Sequence, residues 1–164
     1  KNPFGTSGPM PPKSGVETTY AIVFTIKNTT NKITRATVTA SLPSYVRWLG
    51  SHAPAYEELS FNQNSGTFTW DVGDIEAGVG LGGTAPRWVA LSIGFNPSTS
   101  QIGSQPILIQ DVTLTGVDDA TGNAVTRKTT PSVTTNLIQI SKSSGDALVG
   151  ADKGFDPTNA TVVK

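Results

Sequence analysis

Tyr20, Ile22, Phe24 and Ile26 alternate with Ala21, Val23, Thr25 and Lys27, the period of two that a strand shows when one face of its sheet is buried. The polar run Asn28-Thr29-Thr30-Asn31-Lys32 interrupts this pattern. It resumes from Ile33 to Leu42, with Ala36, Val38, Ala40 and Leu42 on one face and threonines on the other. Two alternating runs joined by a short polar break predict a hairpin.

Pro43 ends the second run, because proline cannot donate to a ladder. Val46, Trp48 and Leu49 form a short extended piece before a loop carrying His52 and Pro54. Leu59 and Phe61 lead through the turn-rich Asn62-Gln63-Asn64-Ser65-Gly66 into Phe68, Trp70 and Val72, which predicts a second hairpin. The glycine-rich stretch from Ala77 to Ala85 reads as a loop, and Val89, Leu91, Ile93 and Phe95 stay in phase along a strand from Trp88 to Phe95. From Ile107 to Val117 the apolar phase slips by one residue near Gln110 or Asp111, which predicts a β-bulge. Asp118 to Asn123 turns the chain into Ala124 to Thr130, and Val133 to Ile140 reads as a last strand.

No helical periodicity is sustained over ten residues, and turn signals recur every 8 to 12 residues, as a sandwich requires. The prediction is an all-β fold, an immunoglobulin-like Greek-key β-sandwich of about seven to nine antiparallel strands. Residues 1–15, with four prolines and three glycines, read as an extended lead-in or linker. Residues 16–140 read as the sandwich. Residues 141–164, dominated by Ser, Gly, Lys and Asp, read as a loose C-terminal tail.

Composition narrows the chemistry. At 164 residues a core can form without cofactors, and none is expected. There is no cysteine, which removes disulfides, thiolate nucleophiles and cysteine-ligated zinc. Twelve basic residues balance twelve acidic ones, so the net field offers nothing to nucleic acid or to an anionic membrane surface. No apolar stretch approaches the ~18 residues of a membrane span. The start at Lys1 reads as a processed or excised piece of a longer protein, with any anchor or signal upstream.

Two motifs carry a resemblance. Thr19-Tyr20 through Thr25-Ile26-Lys27-Asn28 is a Thr-Tyr strand ending in Asn, followed by a strand ending in Ala40-Ser41-Leu42-Pro43. The run from Gly66 to Gly78 then places Trp70 and Gly73 in a Gly-x-x-x-Trp-x-x-Gly-x-x-x-x-Gly pattern. Over about residues 16 to 96 the chain resembles a repeat domain of unknown function found in bacterial and archaeal surface and adhesin-like proteins. That resemblance implies an immunoglobulin-like structural or adhesive module and supplies no catalytic residues. The chain departs from the usual pattern at Trp88 and in the long Gly78 to Ala85 loop. Physically, Trp70 is expected between the sheets, and Gly73 and Gly78 at turns that need positive φ.

His52 is the one histidine, and no Gly-x-Ser-x-Gly elbow accompanies it, so a hydrolase triad is not expected. Calcium needs only oxygens, and Asp71, Asp74, Asp118 and Asp119 are its weak candidates; turn capping is the stronger reading of the same residues. Tyr45, Trp48, Tyr56 and Trp88 are candidate ligand contacts, since sandwich domains bind glycans on exposed aromatics; core packing competes for each of them.

The expected function is a noncatalytic structural or spacer module of a secreted or cell-surface-anchored multidomain protein, extracellular and bacterial in type. Its partners would be neighbouring domains of the same chain. The alternatives are an adhesin or carbohydrate-binding module taking a surface glycan, and a surface filament subunit joined through its termini by strand addition.

Overall fold

The two opening alternations both become strands, β1 (Thr18–Ile26) and β2 (Ile33–Ser41), but they do not pair with each other. In the computed structural model, which describes residues 3–129, 132–137 and 155–164, the chain forms two antiparallel sheets. One has the order β1-β6-β3, with β3 at Val46–Ala53 and β6 at Arg87–Phe95. The other has the order β4-β5-β2-β7-β8, with β4 at Glu58–Asn62, β5 at Thr67–Ile75, β7 at Ile107–Asp118 and β8 at Ala124–Lys128. A two-residue β9, Val133–Thr134, pairs with the first part of β7. The rest of the last strand expected up to Ile140 falls partly on residues 138–140, outside the described residues.

The expected β1–β2 hairpin is thus replaced by a crossover between sheets. Alternation says that one face is buried and leaves the neighbouring strand unspecified. The loop decides it here. Asn28 Nδ2 donates to the carbonyls of Asn31, Ile75 and Glu76, and Asn28 N–H donates to the Val79 carbonyl, so the loop is tied to the far end of β5.

The faces predicted from sequence meet in one core. Tyr20, Ile22, Phe24 and Ile26 of β1 and Val89, Leu91, Ile93 and Phe95 of β6 face Ala36, Val38, Ala40, Phe68, Trp70 and Val72 of the other sheet. Phe24 stacks on Phe68 across the interface with ring centroids 5.9 Å apart. Trp70 is fully buried, as its motif led us to expect, and an indole so placed contributes several kcal/mol, about 25 cal/mol per Å² of apolar surface. Gly73 and Gly78 hold φ of 71° and 78°, Gly78 in a turn as expected but Gly73 inside β5, at a register shift opposite Ala36. The predicted bulge lies at Asp111, φ 54°, where the β2–β7 register shifts between the pairs Thr39–Thr113 and Ser41–Gln110. The two sheets pack as a β-sandwich in which only the β4–β5 and β7–β8 pairs join strands consecutive in the chain.

Three further expectations change. His52 is not in a loop; it lies in β3 opposite Leu91, beyond a register shift that follows Trp48. The lead-in is not a free linker. Ser7 O accepts from Thr19 N–H, Pro9 O accepts from Thr18 Oγ1, and Pro12 is buried. At the other terminus, residues 155–164 do not hang loose. Ala160 and Val162 are buried and Val163 bridges Lys13 in parallel, because the apolar side chains that stand out in this polar stretch find an unfilled end of the core. Residues 141–154 of the predicted tail lie outside the described residues. Helix among the described residues is limited to two single 3₁₀ turns, Thr99–Gln101 and Pro157–Ala160, and none is long and apolar enough to cross a membrane.

Candidate functional site

Ile26 pairs with Arg87 and Ala53 with Ala90, so the ends of β1 and β3 meet the start of β6 at one end of the sandwich. The turn Pro54–Glu57 follows β3 there, closed by Glu57 N–H on the Pro54 carbonyl at 3.3 Å. Glu57 is 4% exposed, whereas Tyr56, its neighbour, is 79% exposed. A buried anchor beside an exposed ring presents that ring from a held backbone.

The anchor is a three-way contact. Arg87 donates from Nε to Glu57 Oε1 at 2.6 Å and from Nη2 to Oε2 at 3.0 Å, and Trp70 Nε1 donates to Oε2 at 2.8 Å. A buried carboxylate survives only when its lone pairs are met this way. Glu57 in turn holds the Arg87 pKa above its ordinary value. The Arg87 side chain remains 38% exposed and borders a shallow cleft of about 190 Å³ whose other walls include Asp74, Glu76 and Val79.

The four aromatic candidates separate. Trp88 is exposed beside Arg87, at the same end as Tyr56, on the face of β6 that points away from the core. Trp48 instead packs edge-on against Phe61 and Phe68 at 6.0 and 6.4 Å. Tyr45, at the opposite end, packs edge-on against Phe95 at 5.8 Å. Tyr56 and Trp88 are therefore brought to one end, and Tyr45 and Trp48 belong to the packing of the core.

The acidic candidates also find partners. Lys32 Nζ lies 3.0 Å from Asp74 and 2.9 Å from Glu76, and its ammonium holds the Asp74 pKa below the ordinary carboxylate value. Asp118 accepts from Asn31 Nδ2 and from the main-chain N–H groups of Ala120 and Thr121, which lowers its pKa as well. Asp71 Oδ1 accepts from Gly73 N–H, and Asp119 is exposed with its N–H on the Lys32 carbonyl. Asp71 and Asp118 thus cap turns, and Asp74 is held in an ion pair. Among the described residues no three His, Asp or Glu side chains converge as a metal site.

Glu57 and Arg87 were not singled out from the sequence, although a signal was present. Glu57 shares its phase with Leu59 and Phe61, and Arg87 with Val89, Leu91 and Ile93, so an acid and a base each continue a buried face. What this end offers chemically is the exposed Tyr56 ring near a fixed guanidinium, with Trp88 exposed on the opposite face of β6.

No family model and no curated protein matches the chain. Among solved structures, the crystal structure of a DUF4466 family protein from Parabacteroides merdae is similar over 87% of this chain, at 14% sequence identity and a TM-score of 0.25, and the chain spans 50% of that protein's length.

Proposed function

We propose that this domain is a noncatalytic structural module, a spacer within a secreted or cell-surface-anchored multidomain protein. One observation supports it above the others: the two terminal segments are bonded to each other and to the body. Ser14 N–H donates to the Val163 carbonyl at 2.9 Å and Val163 N–H to the Pro12 carbonyl at 2.8 Å, in parallel. A spacer passes position and tension between its neighbours, so its ends must be fixed to its core. Parallel segments pulled in opposite directions load their hydrogen bonds together, in shear. The resemblance of residues 16 to 96 to surface-protein repeats agrees with this reading. Single-molecule pulling between two reference domains tests it. The expected trace is one cooperative rip containing both termini; peeling of residues 3–14 or 155–164 at low force, ahead of the body, would count against it.

Tyr56 and Trp88 favour a second reading, an adhesive module that stacks a surface glycan on exposed aromatics. Glycan-array and whole-cell binding with Tyr56→Ala and Trp88→Ala is its test. Loss of binding in both folded variants supports it, and no binding by the wild type at tens of micromolar removes it.

A further inference from the structure

The segment Asp156–Val163 is seated as a ligand would be. Asp156 caps its 3₁₀ turn, accepting from Thr158 N–H and Oγ1 at 2.9 and 2.8 Å. Beyond that turn, its hydrogen bonds run to residues distant in the chain. Thr135, itself fully buried, donates from Oγ1 to the Ala160 carbonyl at 2.6 Å. Val162 donates to the Ser104 carbonyl and accepts from Gly103 N–H, and Val163 donates to Pro12 and accepts from Ser14. Two consecutive residues thus have all four main-chain groups paired, one with the 103–104 loop and the other with the lead-in. The Val162 side chain, 1% exposed, closes the core between them.

We propose that this groove is a strand-acceptor site, able to take the same segment from a second copy of the chain. Each contact named above would be remade unchanged between two copies, so exchange sacrifices no native interaction. The connection permits it. Seventeen residues separate Leu137 from Phe155, a contour of roughly 60 Å. What opposes exchange is tethering, because a segment joined by such a connection faces its own groove at an effective concentration on the order of millimolar. Exchange therefore belongs to crowded copies, as in tandem or dense arrays. It does not depend on the spacer reading.

The absence of cysteine gives a clean trap. Lys13 and Val163 face each other in the parallel bridge, a separation suited to a disulfide. Full-length Lys13→Cys and Val163→Cys chains, mixed at about 1 mM, unfolded and refolded together and oxidised, are expected to give the mixed dimer about tenfold above either homodimer, and to lose it on about 100-fold dilution before refolding. The double variant should close an intrachain bond, which verifies the bridge independently. A mixture giving the three dimers in the proportions of random collision overturns the proposal and leaves the docking within one chain untouched. Adding Val162→Asp to the Val163→Cys chain should abolish the excess; an excess that persists would also overturn it.

Discussion

Arg87 grips Glu57 with two hydrogen bonds, at 2.6 and 3.0 Å, and so joins the first residue of β6 to the turn that carries Tyr56. The carboxylate is nearly inaccessible, and it also holds the indole N–H of Trp70 in the centre of the core. One buried acid therefore couples the exposed end of the molecule to its interior.

Glu57→Ala is expected to cost about 3–5 kcal/mol, since it strands a half-buried guanidinium and an indole N–H. Trp70→Phe keeps most of the ring and removes one hydrogen bond to a charged group, for a smaller loss of about 1.5–3 kcal/mol. Urea denaturation of both variants measures the difference, and equal losses would show that the Arg87 pair adds nothing beyond the indole hydrogen bond.

Trp48→Ala and Trp88→Ala should part company in the same assay. Trp48 packs on Phe61 and Phe68 and should lose about 2–3 kcal/mol, while the outward-facing Trp88 should change stability by no more than about 0.5 kcal/mol. A binding defect in Trp88→Ala is then interpretable, and one in Trp48→Ala is not.

Gly8→Ala should release the lead-in. At φ 89° a methyl group there would collide with the Glu17 carbonyl oxygen and lie 2.7 Å from Thr18 Cα. The expected readout is faster hydrogen exchange at the Thr19 amide, which donates to Ser7, with the amides of β6 less affected.

Val162→Asp should destabilise the fold and expose the Gly103 amide, its hydrogen-bond partner, to exchange. Unchanged protection at Gly103 would mean that the C-terminal segment does not seal the core in solution.

Acid should weaken the fold in a defined window. Glu17, Asp74, Asp118 and Asp156 titrate below their ordinary values because of hydrogen bonds from Arg47, Lys32, Asn31 and Thr158 respectively. A depressed carboxylate stabilises above its unfolded pKa of about 4 and loses that contribution as pH falls through the lower folded value. Lys32, raised by Glu76 and Asp74, works in the other direction and loses its contribution only as pH climbs past about 10.4. Stability from these groups should be level near neutrality and fall below about pH 4. Lys32→Met should return Asp74 toward its ordinary pKa, read by NMR titration.

The strands were legible because period-two burial is a local property. Tyr20 to Ile26, Ala36 to Leu42, Phe68 to Val72 and Val89 to Phe95 carry it openly, and even the slip at Asp111 left its mark in the apolar phase. The placing of Trp70 in the core and the positive φ of Gly73 were legible for the same reason. Partnership was not local. Only the fold decided that β1 joins β6 while β2 joins β5 and β7, because an alternating strand fits equally well beside any neighbour and the Asn28 contacts that choose lie 47 and 48 residues away. The same distance hid the docked termini, where a few apolar residues in polar stretches matter only once a gap in the core exists for them. It also hid the site. The alternation set Glu57 and Arg87 on buried faces, but that each is there for the other follows from two strands brought together in space.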